Sequence, residues 1–358
     1  MQKPEVVLSS STRLDPAERP MPPEQSYHPL TVVDVIDETA DTRSFVLEIP
    51  PALAPRFPYV AGQFCTFRAR IGGEEVARCY SMSSSPAMGD PFVVTVKRVP
   101  DGKMSNWMND TLAPGATIDV MPPAGRFVLR PADTPIVAFA GGSGITPVVS
   151  IIKTALLTTA REIALVYANR GPASVIFADT IERLRAGSAR RLSVHHHLDS
   201  DAGFLDADAC AALVGGRTRA DFYVCGPAPF MSVVEAGLDR GGIDPRRLFI
   251  ERFDVPDDVG AASAESETEW VTIRVGGRKR RVQYEPGDTI LQIARRAGLT
   301  PPFNCQAGSC ATCMAFLDEG TVTMRVNNAL GADEVEEGWV LTCQAIPTSR
   351  KVVVDYDH

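Results

Sequence analysis

Four cysteines near the C-terminus, Cys305, Cys310, Cys313 and Cys343, carry the densest chemistry in this 358-residue chain. Three of them follow C-x4-C-x2-C in Cys305-Gln306-Ala307-Gly308-Ser309-Cys310-Ala311-Thr312-Cys313, and the fourth stands much further on. Thiolates at that spacing ligate a [2Fe–2S] cluster. Gly308 and the small residues around it let the backbone curl tightly and turn N–H groups toward the sulfurs, which tunes the potential. Structural zinc favours paired C-x2-C knuckles, and only Cys310 and Cys313 form one. Disulfides need an oxidising compartment, and no secretory segment supports one. The pattern predicts that the chain carries electrons singly. Of the other cysteines, Cys65, Cys79 and Cys210 read first as small buried hydrophobes.

Three further stretches could do chemistry. In Arg78-Cys79-Tyr80-Ser81, an extended backbone puts Arg78 and Tyr80 on one face, Cys79 and Ser81 on the other. An Arg there could fork to a pyrophosphate, a Tyr could lie on an aromatic ring and a Ser could donate a short hydrogen bond. Gly141-Gly142-Ser143-Gly144-Ile145-Thr146-Pro147 joins an apolar run to a helical stretch from about Pro147. Glycines admit a phosphate close to the backbone, and a helix N-terminus favours the anion. It is not the G-x-G-x-x-G fingerprint. Cys225-Gly226-Pro227-Ala228-Pro229-Phe230-Met231 ends another apolar run.

With Ala61-Gly62-Gln63-Phe64, Val96-Lys97-Arg98, Gly102-Lys103-Met104-Ser105 and Pro123-Ala124-Gly125-Arg126-Phe127, these stretches resemble the ferredoxin–NADP reductase superfamily. The resemblance runs from about Tyr27 to the end, and the cysteine pattern is similar to plant-type ferredoxins. It implies FAD held by Arg78 at the pyrophosphate, Tyr80 on the isoalloxazine and Ser81 near flavin N5, with Cys79 in the same strand. Val96 and Lys97 would contact the flavin and ribityl region, and Gly102 and Ser105 the diphosphate. Gly142, Ser143, Gly144 and Thr146 would form the nicotinamide-binding loop. Cys225 with Gly226 would place the nicotinamide for hydride transfer, and Phe253, in Glu251-Arg252-Phe253, would be an aromatic lid on the flavin. The implied catalytic set is Ser81, Cys225 and Phe253, and the implied cluster ligands are Cys305, Cys310, Cys313 and Cys343.

The order of modules looks like the reductase components of bacterial oxygenases. The implied activity carries electrons from NAD(P)H through FAD and a [2Fe–2S] cluster to a terminal oxygenase, hydroxylase or desaturase, a Rieske-type steroid or aromatic hydroxylase among them. A stand-alone diaphorase or NAD(P)H oxidase, and a non-catalytic redox sensor, are the rival readings. Arg170 and Ser174, in a stretch without acids, could take a 2′-phosphate, but Arg170 could equally meet adenine or pyrophosphate. NADH and NADPH both stay open.

Elements must position these residues. From Val32 to Leu129, short strand-like runs broken at Gly72-Gly73 and Asp101-Gly102 predict an antiparallel barrel or sandwich. After Pro135, apolar runs at 136–140, 163–167 and 222–225 alternate with helical segments, which predicts a parallel α/β sheet. The expected divisions are a flexible tail (1–26), an FAD-binding β-barrel (27–130), an NAD(P)-binding α/β domain (131–253), an acidic linker (254–269) and a β-grasp ferredoxin domain (270–358). The linker would let the last module face the flavin and then the acceptor. The run His195-His196-His197 reads as strand, not as a metal site, because adjacent residues there face opposite ways. A net charge of −8 argues against nucleic acid as a partner. No run of roughly 18 apolar residues predicts a membrane span. A cytoplasmic monomer is expected.

Overall fold

The computed structural model describes residues 27–253 and 267–358. The expected tail and most of the expected linker lie outside the described residues. The described chain forms two compact units, divided between Asp254 and Val255.

The first unit begins with six antiparallel strands: β1 (His28–Thr39), β2 (Thr42–Glu48), β3 (Phe64–Ile71), β4 (Glu74–Ser81), β5 (Phe92–Lys97) and β6 (Thr117–Val120). They are ordered β4-β3-β6-β1-β2-β5. Met82, just past β4, bridges Val94 of β5 and closes the sheet into a barrel. Alternation explains its interior, where Phe45, Phe67, Val94, Val96 and Val120 are fully buried. The expected turn is present, with Asp101 at φ +59°, and leads straight into helix α1 (Lys103–Thr111). Met104 and Met108, four residues apart, turn one face of that helix into the barrel core.

The same unit continues into five parallel strands, β7 (Ile136–Gly141), β8 (Ile163–Asn169), β9 (Leu192–Leu198), β10 (Asp221–Cys225) and β11 (Leu248–Glu251), ordered β11-β10-β7-β8-β9. The three apolar runs are its centre. The histidine run lies in the edge strand β9, with His195 and His196 exposed. Helix α2 (Ile145–Thr158) covers one face with α3 (Ala178–Gly187). The short α4 (Asp199–Ala202) follows β9, and α5 (Ala207–Val214) and α6 (Ala228–Arg240) cover the other face. The chain leaves β7 toward β8 on one side and returns through β10 on the other. That reversal opens a crevice at the carboxyl ends of β7 and β10, where ligands of such sheets bind.

Barrel and sheet share a polar seam. The Tyr223 hydroxyl accepts from Arg130 N at 2.9 Å and donates to Val128 O at 3.1 Å. Arg161, whose side chain is 1% exposed, donates to Asp221 at 2.6 Å and to the carbonyls of Arg130 and Thr134. With every polar group of that cluster paired, burial is tolerable; with one partner removed it is not.

The second unit is a mixed sheet of β12 (Trp270–Val275), β13 (Arg278–Gln283), β14 (Met314–Glu319), β16 (Trp339–Leu341) and β18 (Lys351–Asp355), ordered β13-β12-β18-β14-β16. Strands β15 (Val322–Met324) and β17 (Ala345–Pro347) form a small second sheet. Helix α7 (Ile290–Arg296) packs Ile290, Ile293 and Ala294 onto the sheet in a β-grasp arrangement, its start fixed by a capping box between Thr289 and Gln292. Helix α8 (Ala332–Glu337) precedes β16. Thr268 and Glu269, at the end of the expected linker, already bond to Ser349 and Arg350 of this unit.

Arg161→Ala is expected to destabilise the first unit by about 3–5 kcal/mol, because Asp221 is left buried without its main partner. The lowest-temperature thermal transition of the full chain reads this directly, and an unmoved midpoint would refute it.

Candidate functional site

Three groups of residues make up the site. The first lies on β4, where pairing with β3 holds the strand extended through Ser81. Tyr80 is half-buried against Phe67, ring centroids 5.7 Å apart, and burial pushes its hydroxyl pKa up. Arg78, half-buried two residues before it, donates to its neighbour's carbonyl, Ala77 O, at 2.9 Å. Ser81 is 2% exposed, and among the described residues its Oγ has no hydrogen-bond partner. A buried hydroxyl is rarely left so, and a ligand acceptor at this point would complete it. Lys97, at the end of β5, is half-buried, and burial lowers its ammonium pKa, with Asp41 opposing. Val96 is wholly inside the barrel. Gly102 caps α1, and no side chain caps the first-turn N–H groups of that helix. The Ser105 hydroxyl is turned inward, accepting from Val99 N at 3.1 Å. The orphaned Ser81 hydroxyl, the half-buried Arg78 and the uncapped start of α1 fit an FAD-binding role for this group.

The second group surrounds a cavity of about 910 Å³ at the crevice between β7 and β10. Gly141, Gly142, Ser143, Asn169, Arg170, Pro227 and Phe230 line it from the sheet side, Lys97 and Asn106 from the barrel side. Gly144, Thr146, Cys225 and Gly226 are buried behind that lining. The two loops touch so closely that a Cβ on Gly144 would stand 2.1 Å from Cys225 O, so only glycine fits. Thr146 Oγ1 donates to Ser143 O at 3.0 Å, and the Tyr167 hydroxyl to Gly142 O at 3.1 Å, which fixes the loop from within. Helix α2 begins at Ile145, two residues before the expected Pro147.

Helix α2 also ties the two groups together. Ser150, Lys153 and Thr154 share one face of it. Ser150 Oγ donates to Ser84 O at 2.6 Å, Lys153 Nζ to Ser83 O at 3.2 Å, and Thr154 Oγ1 meets Ser85 Oγ at 2.8 Å. Residues 83–85 lie just past Ser81, separated from it by Met82. Phe253, at the end of the described first unit, is 38% exposed.

The third group is in the second unit. Cys305, Cys310, Cys313 and Cys343 are all buried. Their thiols fall into two neighbouring pairs, Cys305 with Cys310 and Cys313 with Cys343. Two pairs suit two irons. No three His, Cys, Asp or Glu side chains among the described residues converge as they would on a single ion. The loop turns its amides inward: Ala307 N and Ser309 N donate to Cys305 Sγ, and Thr312 N to Cys310 Sγ, each at 3.4 Å. The Cys305 thiol, with help from Thr312, holds Cys310 down to about 6. Gly308, at φ +75°, sits where a Cβ would strike Val326 O at 2.7 Å. Gln344 donates to Gln306 O at 2.8 Å and bolts the turn that carries Cys343 to the loop. This donor set fits the [2Fe–2S] cluster.

Two site residues escaped the sequence reading. Asn169 is 5% exposed in the cavity wall, and among the described residues neither its Nδ2 nor its Oδ1 has a partner within hydrogen-bond geometry. Tyr167 adjoins it, but its hydroxyl is spent on Gly142 and Ile176. Asp41 also lines the cavity, from a turn of the barrel.

A flavin barrel, a nucleotide crevice and a four-thiolate loop in one chain define an electron-transferring oxidoreductase. Family models for an oxidoreductase FAD-binding domain, an oxidoreductase NAD-binding domain and a 2Fe-2S iron-sulfur cluster binding domain match residues 29–129, 139–236 and 273–348. The chain is 38% identical to the 3-ketosteroid-9-alpha-monooxygenase ferredoxin reductase component of Rhodococcus rhodochrous, over 91% of this chain and 96% of that one. It is 34% identical to one of the subunits of the 1,2-phenylacetyl-CoA epoxidase of Escherichia coli strain K12, over 93% and 98%. A phthalate dioxygenase reductase shares the fold, with a TM-score of 0.60 at 24% identity over 94% of this chain and all of that one. The chain belongs to the ferredoxin–NADP reductase superfamily, among the oxygenase reductase components that end in a [2Fe–2S] domain.

Cys310→Ser and Cys343→Ser are each expected to strip iron and sulfide while flavin content stays at the wild-type level, since the two units hold separate cores. Iron, acid-labile sulfide and flavin assays check this together, and retained iron in both variants would contradict it.

Proposed function

We propose that this protein takes electrons from NAD(P)H and delivers them singly to a partner oxygenase, hydroxylase or desaturase. FAD, when bound, accepts a hydride's two electrons and releases them one at a time, and a [2Fe–2S] cluster carries one at a time. The observation that carries the reading is the α2 clamp. Transfer between two rings needs reacting atoms about 3–3.5 Å apart. Helix α2 starts in the nucleotide loop and is bonded through Ser150, Lys153 and Thr154 to the segment that follows Ser81. The clamp would thereby hold a nicotinamide seated by Gly142 and Ser143 in register with a flavin ring along Tyr80.

The residues divide the work. Arg78 and the start of α1 anchor the flavin phosphates. Ser81, its Oγ buried and unspent, would donate to the reacting edge of the ring, where a hydrogen bond can follow a change in charge. Cys225, buried behind the lining with its carbonyl pressed against Gly144, fixes the wall that the nicotinamide would meet and takes no covalent part. Phe253, an exposed aromatic at the end of the unit, would cover the ring face. Lys97 and Asn169 meet the nucleotide. In the second unit the inward amides stabilise the thiolates. Among the described residues no helix is long and apolar enough to cross a membrane. Eight cysteines without a disulfide favour a reducing compartment, which we take to be the cytoplasm.

The relatives' names point to an oxygenase as acceptor. Anaerobic mixing with NADH, and separately NADPH, is expected to bleach the flavin and then raise a rhombic [2Fe–2S] signal by electron paramagnetic resonance. Bleaching without that signal would mean that the sites are uncoupled and that the diaphorase reading holds. Ser81→Ala should keep the thermal midpoint, because its Oγ has no protein partner, and slow flavin reduction on the order of a hundredfold. An unchanged rate would remove Ser81 from the chemistry.

A further inference from the structure

The mouth of the nucleotide cavity holds a carboxylate between two cations. Asp41 occupies the tight turn between β1 and β2, next to the Thr39–Thr42 pair. Its Oδ1 accepts from Thr39 Oγ1 at 2.9 Å and from Thr42 Oγ1 at 3.1 Å, which fixes the side chain. Its Oδ2 stands 3.8 Å from Lys97 Nζ and 3.1 Å from Arg170 Nη2. Burial pulls the other way, but Thr39, Lys97, Thr42 and Arg170 together hold its carboxyl below the usual carboxylate range. Lys97 belongs to the barrel and Arg170 follows β8 of the sheet, so one carboxylate oxygen spans the cleft. All three residues line the cavity, beside the unpartnered amide of Asn169.

We propose that Asp41 sets the choice of nucleotide, disfavouring the extra phosphate of NADPH and so selecting NADH. The inference rests on the functional reading above. The pyrophosphate is common to both nucleotides, and the glycine loop with Lys97 serves it: Lys97 Nζ lies 3.9 Å from where a Cβ on Gly142 would stand. The discriminating cation is Arg170, placed after the second strand of the order β7-β8-β9, where a 2′-phosphate is received. A phosphate monoester carries about −1.5 to −2 charges near neutral pH and wants an uncommitted guanidinium fork. Here one nitrogen of that fork is taken by Asp41, and the carboxylate repels the incoming dianion. The ribose 2′-hydroxyl of NADH is neutral, can donate to a carboxylate, and can pair with the donor and acceptor that Asn169 leaves open.

Asp41→Asn tests this in the holoprotein, because an Asn Oδ1 still accepts from both threonine hydroxyls and keeps the turn. Flavin reduction is measured with each nucleotide in turn. The ratio of kcat/KM for NADPH to that for NADH should rise about fivefold, the ceiling for a half-exposed ion pair, through KM and not kcat. The thermal midpoint should hold. Arg170→Ala, a change at an exposed side chain, gives a second reading: Asp41 is left uncompensated at its outer side, and the same ratio should fall. A ratio unmoved in Asp41→Asn overturns the inference, as does, should that variant not fold, a ratio unmoved or raised in Arg170→Ala. A wild-type flavin that neither nucleotide reduces defeats the functional reading and this inference with it. A flavin that is reduced while the ratio stays put defeats the role of Asp41 alone.

Discussion

Hydride transfer tolerates little play, and in this protein the play is removed by one helix. Helix α2 begins where the nucleotide loop ends, and its polar face reaches across to residues 83–85 of the barrel. Three hydrogen bonds would be worth little in water, where each replaces a bond to solvent. These are part-buried or fully buried and shielded by apolar neighbours, so breaking one strands a polar group. The rest of the first unit is arranged around that constraint. Arg161 and Tyr223 weld the other end of the seam, and Gly144 lets the two loops of the crevice approach to backbone contact.

The second unit answers a different demand. A cluster ligand set must be rigid and dry, yet fed with N–H donors, and a regular element cannot supply that many inward amides in so few residues. The loop from Cys305 to Cys313 does so by taking left-handed backbone at Gln306, Gly308 and Ala311. Two of those three are not glycine, which stores strain that the packing around the loop must offset. The Gln344 bond to Gln306 O and the Thr342 bond to Cys313 O supply part of that packing. They also bring Cys343 to its three partners.

Much of the site was legible because its signals are local. Ligand spacing within nine residues, the two-residue period of Arg78 to Ser81 and a glycine loop between an apolar run and a helix each bear on one element. Helix α1 was not legible although Met104 and Met108 stand at helical spacing, because the Asp-Gly turn signal before them dominates. The edge strands β9 and β11 give little signal because edges are polar or short and lack the continuous apolar run of central strands. Asn169 carries no local signal at all. Nothing in a sequence says whether an amide will find a partner.

The sequence by itself determined the three modules, their order, the local spacing of three of the four cysteines and the extended strand that carries Arg78 to Ser81, because each depends on chain-local geometry that residue types enforce. Only the tertiary structure decided which side chains meet across the cleft. Asp41 and Arg170 are 129 residues apart and form one ion pair. Thr154 finds Ser85, and the Tyr223 hydroxyl finds the backbone at 128–130. Such contacts depend on how two cores pack, and packing is set by the summed fit of many side chains, so no short stretch of sequence carries it.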